Sequence, residues 1–539
     1  MTLLHTAKLS MDMTRVLTDI ELSGIKIDIA ALKELKDSYS FRTTQLLDIL
    51  NTSAANAMGD TPINLDSPED RSMLFYSRKV TDKKQWASLF NIGTTVNERG
   101  SRRQKKRAEF NRRDFSNAYQ SNTTQVHKTT ASKCTICSGF GKTSKMKKDG
   151  TYSKVRYICK RCSGCGIIYT KNLDTAGFSL KPLTALDCTA HGFKTDSTTL
   201  NNYLTSDIGS NAKAYIRAYC EYSSIKTYLR TFVEGIEKAV TAKSFIHPNF
   251  MQCVTATGRL SSRSPNFQNM PRATTFPVRK TIISRWEDGF ILEGDYKQLE
   301  FRVAGFLSDD KTVYKEVEEG FDVHSFTADM MDVTRQEAKA HTFKPLYGGV
   351  SGTDKQRKYY RAFKKKYAGI THWHDSLAEE AIARKKLTLP SGREYLFPNV
   401  RRTRWGGVTS GTAIKNYPVQ GFATADLLPM ALIYTNKLLA ANKMQSVICN
   451  TVHDSIVLDV HPEEKDLAID LLSQGMLSLF DECQKRYSIT YSMPVGIELK
   501  IGKNWLDLEP ILDLEWKPQT SKEFKYERVG ITERQSRLL

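Results

Sequence analysis

Two short apolar runs in this chain each lead into an aspartate, and that pairing limits the folds open to it. In the first run, Phe290-Ile291-Leu292 reads as a buried strand. Gly294 is expected to break it, which leaves Asp295 at the strand end. From Gln298 onward the apolar positions Leu299, Val303, Phe306 and Leu307 recur at helical spacing. Asp295 is therefore expected where a strand hands over to a helix, with Glu300 just inside that helix. In the second run, Ser446–Val460, β-branched and apolar residues flank His453-Asp454, which predicts a hairpin with the acid at its tip. Two aspartates on sheet edges can hold two divalent cations about 4 Å apart for in-line phosphoryl transfer. Mg²⁺ suits such a pair because it prefers carboxylate oxygens and substrate phosphates.

Between the two runs, Thr334 and Glu337 form a capping box that starts a helix. Arg335, Lys339, Phe343 and Tyr347 are spaced by four and lie along one slowly drifting face. That face carries two cations, suited to a triphosphate, and then two aromatics, suited to a base and sugar. Pro345 weakens the last turn, and Gly348-Gly349 ends the helix.

Asp295-Tyr296-Lys297-Gln298-Leu299-Glu300-Phe301-Arg302 resembles motif A of family A DNA polymerases. Arg335, Lys339, Phe343, Tyr347 and Gly348 resemble motif B with every spacing kept, and Val452-His453-Asp454 resembles motif C. Thr257-Gly258-Arg259 through Ser262, with Pro265, Asn266, Gln268 and Asn269, is similar to the family's upstream DNA-contact motif. Asn416, Pro418, Gln420 and Gly421 are similar to its segment near the primer end. The likeness runs from about Met11 to Asp507, apart from one insertion, and is nearest to phage members.

The resemblance implies an α+β, right-hand fold with an antiparallel palm sheet and helical fingers and thumb. It implies a DNA-directed DNA polymerase in which Asp295 and Asp454 are catalytic and, with the Tyr296 carbonyl, hold two Mg²⁺. Glu300, His324, Arg335, Lys339, Phe343 and Tyr347 would bind the nucleotide. Arg259, Asn266, Gln268, Asn416, Gln420 and His453 would contact DNA, with donors such as Arg259 checking minor-groove shape rather than sequence. Two positions depart from the family. Thr412 stands where an arginine is common on the template side, and Ser455 replaces the glutamate that usually follows His-Asp. Single-subunit phage RNA polymerases also carry His-Asp-Ser, which makes RNA synthesis a rival. Glu300, which would block a ribose 2′-hydroxyl, and Phe343 at the sugar both favour DNA.

The expected domains are a lead-in and first part of the thumb over 1–95, and a basic linker with an insertion over 96–185. The rest of the thumb follows over 186–250, then palm with motif A over 251–308, fingers over 309–415 and palm with motif C over 416–507. A polar, charged tail is expected over 508–539, either a loosely ordered extension or a docking peptide. The chain starts about where family members leave their proofreading exonuclease, so the expectation is no intrinsic proofreading. A separate exonuclease or replisome protein is then a candidate partner beside primer-template DNA and deoxynucleotides.

Five of the ten cysteines crowd into the insertion. Cys134 and Cys137 form one CxxC knuckle, and Cys159 and Cys162 form another. Both fit CxxCxGxG, similar to the zinc modules of DnaJ-type chaperones. Two such knuckles can wrap one structural Zn²⁺, with Cys165 as an alternative to Cys162. The insertion would clamp duplex DNA or recruit a replication partner. The basic run Arg102–Arg113 reads either as a solvated linker or as phosphate contacts. The formal net charge of +20 over 539 residues fits a polyanionic partner. The sequence shows no signal peptide and no membrane-length apolar run, so a cytoplasmic location is expected, that of the host if the source is viral; a monomer is the expected state beside it. The reading from a different class is a zinc-stabilised DNA-binding protein on a decayed polymerase fold.

Overall fold

The computed structural model describes residues 2–96, 102–148, 150–272, 275–404 and 406–516. These form two compact units, one of Met1–Leu35 with Arg230–Leu539, the other of Lys36–Leu229.

The first unit is built on a five-stranded antiparallel sheet. Its strands are β1 (Phe290–Tyr296), β2 (Val447–Val452), β3 (Ser455–Val460), β4 (Val495–Gly502) and β5 (Glu509–Trp516), in the order β2-β3-β1-β4-β5. Every residue of β3 and most of β1 is buried, which explains why both read as continuous apolar runs rather than alternating ones. Gly294 does not break its strand, as the sequence reading has it: β1 runs through it to Tyr296. The residue is glycine because the helix Lys465–Leu477 packs directly on that point. A Cβ there would lie 2.5 Å from Met476 Sδ and 2.9 Å from Leu499 Cδ2.

Around the sheet stand α1 (Leu299–Ser308), α2 (Val323–Met331), α3 (Arg335–Leu346) and α4 (Gly411–Gly421). The helix Thr2–Ser23 buries Leu9, Met13, Val16, Leu17 and Ile20, one face at helical spacing. Asp19 Oδ2 accepts a hydrogen bond from Asn436, and Asp12 pairs with Arg486 at 2.9 Å. The first 35 residues therefore belong with the sheet. The expected single piece over 1–95 divides because this helix has its own apolar face to cover.

The tail needs a second correction. Its first part, Glu509–Trp516, is the edge strand β5, with Leu514 buried and Phe480 packed on Trp516 at 3.9 Å between ring centres. Glu515 grips the buried guanidinium of Arg302 on α1 through two hydrogen bonds of 2.7 and 2.9 Å. Asp513 pairs with Lys297. The remainder of the expected tail, from 517, lies outside the described residues.

In the second unit, Ser67 caps the helix Pro68–Tyr76, with proline at the position where a missing N–H costs nothing. Its core is aromatic: Trp86, Phe90, Phe115, Tyr119 and Phe193 contact one another edge to face. The expected basic linker is partly a helix, Arg112–Ser121. Arg112 and Arg113 face solvent there, while Phe115 and Tyr119, four apart, are buried. Thr123–Gln125 then pairs with Arg78–Val80. The insertion proper lies between two paired strands, His127–Lys133 and Ile167–Thr175.

The Arg302–Glu515 pair is testable. Glu515→Ala leaves a guanidinium that is 5% exposed without its carboxylate. The expected loss is about 2–3 kcal/mol of stability, below the full buried-pair penalty because Glu515 itself is partly exposed. Urea unfolding followed by tryptophan fluorescence checks it; an unchanged midpoint would show β5 to be a passive edge.

Candidate active site and cysteine cluster

Asp295 and Asp454 reach the same place from adjacent strands. In the sheet register Asp295 stands opposite Ser455 on β3 and opposite Glu498 on β4. His453-Asp454 is the two-residue turn joining β2 to β3, and His453 adopts a left-handed φ of 59° to make it. The Tyr296 N–H donates to the Asp454 carbonyl at 3.3 Å. The Tyr296 ring lies buried with its hydroxyl donating to Met476 O at 2.6 Å, so only its backbone can serve the site.

The two carboxylates disturb each other. Burial, and then the charge of Asp295, push the Asp454 carboxyl well above the usual range. Asp295 Oδ1 is buried without a hydrogen-bond partner. Arg272 supplies the local counter-charge, 3.6 Å from Asp295 and 3.9 Å from Glu293. Two carboxyl groups crowded together, each disfavouring the other's charge, with Asp295 Oδ1 lacking a donor, suit a divalent cation.

These groups open into a cleft of about 860 Å³. Its walls include Glu300, His324, Arg335, Lys339, Phe343 and Tyr347, with Arg259, Gln420 and His453 on the same lining. Glu300 accepts hydrogen bonds from both Arg259 and the Tyr347 hydroxyl. Phe343 and Tyr347 lie nearly parallel, 6.1 Å apart. α3 starts with the expected capping box at Thr334 and Glu337 and ends at Leu346, one residue after Pro345.

Arg335 is not free. Its Nε donates to Asp322 Oδ2 at 2.7 Å. Burial alone would raise the Asp322 carboxyl, but Arg335, the Ser325 hydroxyl and the His324 N–H together bring it down to about 2. Lys339 forms no ion pair among the described residues. His324 is buried, with Nδ1 3.1 Å from Thr342 Oγ1. Burial, reinforced by Arg335 and Lys339, lowers its imidazole to about 4, so at neutral pH it faces the cleft uncharged.

Three expected DNA contacts are not on this lining. Gln268 is buried and uses its amide on the hairpin, donating to Thr451 O and accepting from the His453 N–H. Asn266 caps its own short turn by accepting from the Gln268 N–H at 3.0 Å. Asn416 lies on α4 one turn before Gln420 and is half-buried. Gln268 thus braces the hairpin that carries Asp454, and Asn266 braces the short turn that carries Gln268. The sequence reading missed Arg272 and Glu498. Arg272 follows Pro271 in no spaced pattern. Glu498 becomes visible only through strand register, and it pairs with Lys500 at 2.8 Å.

In the second unit the four cysteines meet. Cys134 and Cys159 sulfurs lie 3.8 Å apart, Cys137 and Cys162 3.7 Å, and all four within 4.8 Å of one another. A tetrahedron of Zn–S bonds of about 2.3 Å has edges of about 3.8 Å, so the spacing fits one metal ion. The knuckles hold each other: Cys134 N–H donates to Gly166 O and Cys159 N–H to Gly141 O, both at 2.9 Å. Gly141 and Gly166 N–H groups point at Cys137 and Cys162 sulfurs, 3.2 Å each. Cys165 is exposed and outside the cluster, which decides against it as the alternative to Cys162.

The family model described as DNA polymerase family A matches residues 167–507. That segment begins beyond the cysteines and ends before β5. The chain is 30% identical over 316 residues to DNA polymerase I of Streptococcus pneumoniae, covering 54% of this chain and 35% of that protein. It is 31% identical over 311 residues to DNA polymerase I of Lactococcus lactis subsp. lactis, covering 53% and 34%. The chain thus spans about a third of the length of these curated relatives. Among solved structures, the POL domain of Pol1 from M. smegmatis, in complex with DNA primer-template and dNTP, matches with a TM-score of 0.61 at 18% identity. That match covers 92% of this chain and 70% of that one, and it shows the polymerase fold.

The buried neutral imidazole predicts a pH dependence. His324 binds a proton more readily unfolded, at about 6.5, than folded, at about 4. Its contribution is therefore lost as pH falls from 6.5 toward 4 and is level below that, about 2 kcal/mol by pH 5. His324→Gln should flatten the fall in urea-unfolding stability between pH 7 and pH 5. An unchanged slope would place the acid sensitivity elsewhere.

Proposed function

The chain belongs to DNA polymerase family A, and from that premise we propose that it extends a DNA primer 3′ end with deoxynucleotides copied from a template. One observation carries the reading: Asp295 and Asp454 share a cleft with the aligned cations and aromatics of α3. Mg²⁺ held by Asp295, Asp454 and the Tyr296 carbonyl would activate the primer hydroxyl and offset charge on the triphosphate. Lys339 offers an uncommitted ammonium to the phosphates. Arg335 would exchange Asp322 for a phosphate oxygen, and neutral His324 would donate a hydrogen bond rather than a charge. Phe343 and Tyr347 form a flat wall for the nascent base pair.

Glu300 is fixed by Arg259 and Tyr347, so its carboxylate can exclude a 2′-hydroxyl at the sugar without moving. With Ser455 in motif C, no third carboxylate comes from β3; Glu498 on the opposite flank of Asp295 is the acid nearest in register. Resemblance of the Phe343–Tyr347 stretch to phage sequences supports a role in phage DNA replication, with the enzyme acting as a monomer. The four cysteines hold one structural Zn²⁺, supported by their spacing. No helix of the described residues is long and apolar enough to cross a membrane.

Primer extension with Mg²⁺ tests the proposal. Asp295→Ala should lower turnover by at least a thousandfold while DNA binding persists, whereas a pure binding protein would show no turnover to lose. Glu300→Ala should raise ribonucleotide use relative to deoxynucleotides by tenfold or more; parental use of ribonucleotides would instead favour RNA synthesis. A mispaired primer end in the same assay reads proofreading, expected to be absent. Purified protein should carry one zinc per chain by metal analysis under reducing conditions, and a metal-free folded protein would overturn that assignment.

A further inference from the structure

Above the cysteine knuckles the strands Lys142–Met146 and Tyr152–Ile158 pair as a two-stranded ribbon. A ribbon of this size does not hold itself together in water, and here the knuckles at its base do so. Its side chains are not spent on a core. Phe140 is 79% exposed, Tyr152 68%, Ile158 67% and Val155 57%. Rings and aliphatic groups left this bare on one small module mark a contact surface.

The charge around them has one sign. From His127 to Thr175 the sequence holds nine lysines and two arginines against Asp149 and Asp174, with no glutamate. Among the described residues none of these cations sits in an ion pair. Strand alternation places Lys154 and Arg156 on one side of the ribbon and Val155 and Tyr157 on the other. Lys145 Nζ stands 5.1 Å from the centre of the Tyr157 ring, so cation and ring are presented together.

We propose that this ribbon binds unpaired DNA, stacking bases on its exposed rings while its cations hold the phosphates. Charge alone would suit any polyanion. The rings select a single strand, because a base can stack on a tyrosine only when it is free of its own helix. A duplex offers the ribbon its phosphates and leaves the rings bare. The single-strand assignment stands on the module itself. The choice of DNA over RNA rests on the polymerase reading above.

The test uses the full zinc-loaded chain and a fluorescein-labelled 20-mer of oligo-dT, with unlabelled primer-template hairpin in excess to fill the polymerase cleft. Tyr152→Ala/Tyr157→Ala should weaken oligo-dT binding by about fivefold or more, the usual scale for lost base stacking. Lys154→Gln/Arg156→Gln should weaken it and lower the slope of log affinity against log salt by about 0.7 per cation removed. Both variants should keep parental zinc content and parental primer extension. If the tyrosine variant loses zinc, Tyr152→Leu/Tyr157→Leu, which keeps bulk and removes the rings, is read in its place. Parental oligo-dT binding by the ring variants would overturn the proposal, as would equal competition by a 20-base-pair duplex, which marks a plain polyanion surface. Tighter binding of oligo-rU would overturn the choice of DNA. Extension in the same samples reports separately whether the polymerase reading has failed.

Discussion

Asp295 and Asp454 repel each other, and the surrounding fold is arranged to hold them together regardless. Neither can move away. Asp295 lies on a central strand bonded on both sides, and Asp454 lies in a two-residue turn whose geometry is fixed by a left-handed His453. Gln268 bonds that turn from below, and the Tyr296 ring is pinned under helix Lys465–Leu477. The carboxylate arrangement is thus set by sheet register and by the hairpin turn. Arg272 lowers the cost from one side, while the raised Asp454 carboxyl is the remaining part of it.

A second cluster turns on Glu300. Its two oxygens are held by residues from distant parts of the chain: Arg259, and Tyr347 at the end of α3. The acid of α1, Arg259 and the aromatic end of α3 are consequently one bonded unit. Arg335 and Asp322 form a comparable pair at the other end of α3. The Arg335 guanidinium is thereby oriented toward its carboxylate, with its Nε donor already committed.

Much of this was legible in the sequence, and the reasons differ by residue. Asp454 was legible because a hairpin tip between two apolar runs leaves few other conformations. The start of α3 was legible because Thr334 and Glu337 satisfy each other locally. Gly294 was misread because its smallness answers a helix from elsewhere in the chain, a tertiary demand that mimics a strand terminator. β5 was hidden for a similar reason: its acids, Asp513 and Glu515, look like solvated charge until Lys297 and Arg302 are placed opposite them. Glu498 and Arg272 carry no local signal. Only cross-strand register and folding of the intervening segment bring them to Asp295.

The two cysteine knuckles have a consequence of their own. Each completes its turn with a carbonyl borrowed from the other, and a methyl group on Gly141 or Gly166 would sit 2.1 Å from the partner knuckle's backbone oxygen. The halves are therefore interlocked: neither turn is completed by its own backbone alone, and each leaves no room for a side chain on the other's glycine. The ribbon above them accordingly stands on a base that only the two knuckles together complete.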